Sequence, residues 1–122
     1  MKTVLIVDDE KDIRDMLSVA LSAEGWLVQS TDSFYGAINI LTQDSNMHCM
    51  VLDYNLPGMP MEEFLKQARG ICPKTGIVLI SAADRVAEKA EKLGIKSFLG
   101  KPFDFDELRT VMNACLSCDS KN

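Results

Sequence analysis

A chain of 122 residues that is 47% hydrophobic carries enough apolar side chain for one compact core and has no room for a second. Its 18 Asp and Glu against 13 Lys and Arg leave a formal charge of -5, which argues against direct nucleic-acid binding by this domain, since that needs clustered Lys and Arg. The apolar runs fall far short of the ~20 residues that span a bilayer, and no n-region, h-region and cleavage site precedes the first strand-like run, so the sequence reads as soluble and cytoplasmic with no membrane contact.

Short β-branched apolar runs predict strands at Thr3 to Val7, Leu27 to Gln29, Cys49 to Leu52, Ile77 to Ile80 and Ser97 to Leu99. Between the first two, Ile13, Met16, Leu17, Ala20 and Leu21 recur at i, i+3, i+4, i+7 and i+8, the spacing of one buried helix face, and Gly25 ends that helix. Further helices are predicted from Ser33 to Leu41, Met61 to Arg69, Asp84 to Leu93 and Phe105 to Cys115. Strand and helix therefore alternate five times over residues 1–122, read as a single domain in which Asp119 to Asn122 form a frayed tail. Right-handed crossovers then dictate an α/β three-layer sandwich, a five-stranded parallel sheet with helices on both faces. For five strands the flavodoxin-like order 2-1-3-4-5 is preferred.

In such a sheet ligands bind at the carboxyl ends of the strands. The first strand ends in Asp8-Asp9-Glu10, the third in Asp53, the fourth in Ser81 and the fifth in Lys101-Pro102. Taken singly, each has an ordinary reading: Asp9 as a helix cap, Asp53 before Asn55, Pro57 and Gly58 as a turn residue, Ser81 as a helix-initiating hydroxyl, Lys101 as a solvated lysine. Jointly they place several carboxylates on one edge, where they repel unless a cation compensates them. Oxygen donors without His or Cys point to Mg2+ or Mn2+ rather than zinc. A metal in so acidic a cage suits an incoming phosphate, whose oxygens Lys101 can neutralise and Ser81 can bond. Cys49, Cys72, Cys115 and Cys118 read as reduced thiols. The CxxC of Cys115 and Cys118 has no second pair and only His48 for company, so it is no zinc site.

Four words in order, VLIVDDE (Val4 to Glu10), VLDYNLPGM (Val51 to Met59), LISA (Leu79 to Ala82) and KPF (Lys101 to Phe103), resemble the receiver domain of two-component response regulators, of the chemotaxis-receiver kind, over essentially the whole chain. The resemblance implies that Asp53 is the phosphoacceptor, taking a phosphoryl group from a phosphohistidine of a histidine kinase or phosphotransfer protein. It implies Mg2+ on Asp8, Asp9, Asp53 and the Asn55 backbone carbonyl, with Asp8 bound directly or through water. It also implies phosphate contact by Lys101, a cis Lys101–Pro102 bond, and a switch built from the Ser81 hydroxyl and the Phe98 ring. The output is then a changed face of fourth helix, fifth strand and fifth helix, offered to an effector domain or protein, with phosphorylation-dependent homodimerisation through it as one mode. Such a receiver assists its own phosphorylation and slow dephosphorylation but is not a turnover enzyme.

The chain departs from the family pattern where Pro60-Met61 replaces Asp-Gly after PGM, removing a candidate cap from the third helix. Small Ala83 and uncharged Asn55 predict easy water access and a short phosphate lifetime. Two rivals remain. A pseudo-receiver interaction module would lack one of the Asp, hydroxyl or Lys positions, and none is lacking. A haloacid-dehalogenase-type phosphatase needs DxD on the first strand, where this chain has Asp8-Asp9-Glu10. Flavin binding is disfavoured because those acids would repel the flavin phosphate.

Overall fold

In the computed structural model, which describes residues 2–82 and 85–120 and the side chains of 2–82 and 85–115, strands and helices alternate strictly. They are β1 (Thr3–Val7), α1 (Lys11–Ala23), β2 (Leu27–Thr31), α2 (Phe34–Gln43), β3 (Cys49–Asp53), α3 (Met61–Ile71), β4 (Gly76–Ala82), α4 (Val86–Leu93), β5 (Ser97–Lys101) and α5 (Phe105–Ser120). All four pairings are parallel, and the sheet order is β2-β1-β3-β4-β5, as the five βα units predict. The Asp84 helix start, Ala83, Cys118 and the tail from Asp119 lie outside the described residues or side chains. Among the described residues no helix is long and apolar enough to cross a membrane.

Side chains alternate across a strand, so each central strand feeds two cores. Val4 and Ile6 of β1, Cys49 and Val51 of β3, and Val78 and Ile80 of β4 pack with Leu17 and Leu21 of α1 and Leu108, Met112 and Cys115 of α5. Leu5, Val7, Met50, Leu52 and Leu79 face the other way, toward α2, α3 and α4. There Phe34 and Phe64 stack with centroids 4.4 Å apart, an arrangement that joins α2 to α3. Burial on both faces explains why β1 and β3 read as unbroken apolar runs. β2 is an edge strand, more exposed and more polar.

Two local outcomes differ from the sequence pattern. The apolar face of α1 is narrower than its periodicity implies: Leu17 and Leu21 are buried, Ile13 and Ala20 only partly, and Met16 is 45% exposed. Met16 instead lines an open, largely apolar groove of about 530 Å³ with Val19, Phe103 and Phe105. Strands β2 to β5 also run past their apolar runs, so that Asp53, Ser81 and Lys101 fall within ladders. Backbone hydrogen bonding, not side-chain hydrophobicity, carries a strand to its end. At α3 the N-cap is Pro60 and no side chain caps the helix, as the loss of Asp-Gly predicts.

Candidate functional site

The sheet register assembles the site. β3 lies between β1 and β4, and β4 between β3 and β5, so residues at four carboxyl ends become neighbours. Asp53 pairs with Ile80, Ser81 with Gly100 and Ala82 with Lys101, while Asp8 follows the last residue of β1. Three polar side chains are buried here: Asp8 and Ser81 with no exposure and Asp53 with 4%. Burial of bare carboxylates is costly unless they are paired or hydrogen-bonded, which accounts for the contacts that follow.

Asp8 Oδ1 accepts from the Glu10 backbone N–H at 2.9 Å, and Arg14 Nη1 donates to the Asp8 carbonyl at 2.8 Å, which fixes the β1–α1 turn. The N-cap of α1 is Glu10, and no side chain caps the helix, so Asp9 is not a helix cap. Its exposed carboxylate joins Asp8, Glu10 and Asp53 in a group in which one oxygen from each residue lies within 4.8 Å of the others. Asp53 Oδ1 accepts from the Asn55 backbone N–H at 3.4 Å, which curls the β3–α3 loop over the carboxylate.

Lys101 meets three of these acids. Its Nζ lies 3.3 Å from Asp8 Oδ2, 3.4 Å from Glu10 Oε1 and 3.7 Å from Asp53 Oδ1, so the solvated-lysine reading does not hold. The Lys101–Pro102 bond that follows is cis. Ser81 is a buried strand residue rather than a helix-initiating one, and its Oγ accepts from Lys89 Nζ of α4 at 3.3 Å. Phe98, two residues before the ladder partner of Ser81, is 39% exposed.

Sequence reasoning missed two members of this constellation. Glu10 was legible as part of an acidic run, but its reach to Lys101 depends on the turn into α1. Lys89 sits in an ordinary amphipathic helix, and no local motif marks it.

Four carboxylates against one directly paired ammonium leave an excess of negative charge. Two like charges 4 Å apart cost about 4 kcal/mol at an effective dielectric near 20, so the pocket favours a further cation. Burial raises the pKa of Asp53, the charge of Asp8 raises it further, and Lys101 offsets this only in part. For Lys101, burial is the largest influence and acts downward, but the charges of Asp53 and Asp8 and the bonds to Asp8 and Glu10 outweigh it, so its pKa is raised. An all-oxygen, carboxylate-rich donor set fits a hard divalent ion.

A family model for the response regulator receiver domain matches residues 4–113. Regulatory protein AtoC of Escherichia coli (strain K12) is 30% identical over 119 residues, 96% of this chain and 26% of the relative, so the chain spans about a quarter of that protein's length. Sporulation initiation phosphotransferase F of Bacillus subtilis (strain 168) is 29% identical over 119 residues, 96% of this chain and 95% of the relative. Among solved structures, response regulator protein TrrA of Thermotoga maritima, in complex with Mg2+-BeF, matches with a TM-score of 0.83 at 27% identity, over 95% of this chain and 100% of that one. Because the family match runs from the first strand into the last helix rather than over an isolated motif, this chain belongs to the response regulator receiver domain family.

Proposed function

We propose that Asp53 accepts a phosphoryl group from the phosphohistidine of a histidine kinase or phosphotransfer protein, in a reaction that requires Mg2+ and tolerates Mn2+. The observation that carries this reading is the buried Asp53 carboxylate, with an ammonium 3.7 Å away and one oxygen from each of three more acids within 4.8 Å of one another and of one of its own. Asp8, Asp9, Asp53 and the Asn55 carbonyl would hold the metal, which when bound supplies positive charge for carboxylates and phosphoryl oxygens alike. The Asp53 oxygen forms the new P–O bond as the P–N bond of the donor breaks and the imidazole nitrogen leaves with the bonding pair. Lys101 neutralises charge on the transferring group, and positioning and electrostatics supply most of the rate. The presence of Mg2+-BeF on TrrA and the phosphotransferase name of the Bacillus relative are consistent with this chemistry.

The product is an aspartyl phosphate, which adds negative charge beside Ser81. Its hydroxyl turns to donate to a phosphoryl oxygen, Phe98 moves from its exposed position into the space released, and the α4-β5-α5 face changes shape for an effector or a second copy. Residues 1–122 form one receiver domain that acts as a phosphoacceptor rather than a turnover enzyme, with slow loss of phosphate to water. Uncharged Asn55 and small Ala83 favour short lifetimes, so Ala83→Arg should slow that loss, and equal rates would contradict it.

Incubation with acetyl phosphate and Mg2+ should add one phosphoryl mass to the wild type and none to Asp53→Asn. Sustained turnover of a chromogenic phosphate ester would instead indicate a hydrolase. No mass gain with any donor would indicate an interaction module that works without phosphorylation.

A further inference from the structure

Ser81 is wholly enclosed, and its hydroxyl has one hydrogen to give and lone pairs to fill. The cation bonded to it is not the lysine of the strand-end cluster. Lys89, a half-buried residue of α4, donates to Ser81 Oγ at 3.3 Å. The same ammonium lies 4.6 Å from the centroid of the Tyr54 ring, within cation–π range. Tyr54 follows Asp53 directly, and its backbone N–H donates to the carbonyl of Ile80, the residue before Ser81, at 2.8 Å. Lys89 thus ties α4 at once to the residue after Asp53 and to the hydroxyl of the neighbouring strand.

This arrangement acts on the hydroxyl. With a cation donating into its lone pair, Ser81 keeps its own hydrogen for another acceptor, and the added bond polarises the O–H. A hydroxyl so held is preset as a donor. Lys101 approaches the acidic cluster from β5, whereas Lys89 reaches the hydroxyl from α4.

We infer that Lys89 is a positioning residue for phosphoryl transfer to Asp53: it presets the Ser81 hydroxyl as a donor to the transferring group and through that bond couples α4 to phosphorylation. The inference rests on the assignment of Asp53 as phosphoacceptor. Lys89 acts through Ser81, and its contribution disappears when the hydroxyl is removed.

A double-mutant cycle on the rate of phosphorylation by acetyl phosphate with Mg2+ tests this. Lys89→Met should slow labelling about three- to tenfold, the scale of one hydrogen bond to a charged group acting at second hand. Ser81→Ala should slow it at least as much, and the double variant should be no slower than Ser81→Ala alone. Lys89→Arg, which retains a cationic donor, should recover most of the rate. Because methionine keeps the apolar stem on a partly exposed helix face, a cooperative melt should show that the variant is folded. A wild-type rate in Lys89→Met would overturn the inference. So would an equal slowing in the wild-type and Ser81→Ala backgrounds, which would make the effect independent of the hydroxyl. A wild type that takes up no phosphoryl group at all overturns the Asp53 assignment, and the inference with it, and is told apart by the absence of any rate to compare.

Discussion

Burial of the Asp53 carboxyl holds its pKa above the ordinary 3.8, and the Asp8 charge adds to this. A carboxyl that holds its proton more tightly folded than unfolded contributes stability that is complete below that ordinary value and is lost as pH rises through the higher folded value. At neutral pH the ionised Asp53 therefore destabilises the metal-free protein. Asp53→Asn should raise the melting temperature by a few degrees near pH 7 in the presence of a chelator, and the advantage should shrink toward about pH 3, where both proteins are neutral at this position. A constant difference across that range would contradict the assigned cause. Lys101 has the opposite consequence: its raised pKa means that its contribution is complete below the ordinary 10.5 and persists at neutral pH. Lys101→Met should cost about 1 to 2 kcal/mol in denaturant unfolding, less than a fully enclosed pair would lose, because 21% of the lysine side chain remains exposed. At this scale Asp8, Asp9, Asp53, Ser81 and Lys101 were legible because each ends a strand run, and the parallel sheet brings strand ends together. Lys89 was not, since only the packing of α4 against the sheet gives it a partner.

At the scale of elements, α5 packs closely against the start of β4. A Cβ added to Gly76 would overlap the Cys115 sulfur, which itself lies 3.6 Å from the Cys49 sulfur in the core. Gly76→Ala should therefore cost about 1 to 3 kcal/mol through overpacking. Cys115→Ala in the same background should return part of that loss, because the obstructing sulfur is then gone. If the denaturant midpoint falls equally for Gly76→Ala with and without Cys115, the overlap is not the cause. The sequence pattern located this helix and this strand but not their closest approach, which depends on which glycine faces which thiol. Periodicity also overstated the buried face of α1, because Met16 has the spacing of a core residue but meets a surface groove. Strands were short by one or two residues at several ends, where backbone pairing continues a ladder that hydrophobicity alone does not reveal.

For the whole molecule, the alternation of strand and helix was enough to give the layers, because right-handed crossovers leave few arrangements for five βα units, whereas the order 2-1-3-4-5 came from the general preference of five-stranded doubly wound sheets and not from the residues themselves. The fold then concentrates negative charge on one edge of the sheet, where four acids cluster and three of them lie beside Lys101. A divalent cation that binds only the folded protein should stabilise it by mass action, by about 1.4 kcal/mol at ten times its dissociation constant. Mg2+ should therefore raise the melting temperature of the wild type and raise that of Asp53→Asn less, since one ligand charge is gone. Equal shifts in the two proteins would separate the metal from Asp53.

The most direct test of Asp53 as phosphoacceptor is chemical trapping at the residue itself. Borohydride reduces an aspartyl phosphate to homoserine, so protein treated with acetyl phosphate and Mg2+, reduced, digested and sequenced by mass spectrometry, should carry homoserine at position 53 alone. Homoserine at Asp8 or Asp9, or its absence from every acidic position of a protein shown to be folded and metal-loaded, would contradict the account.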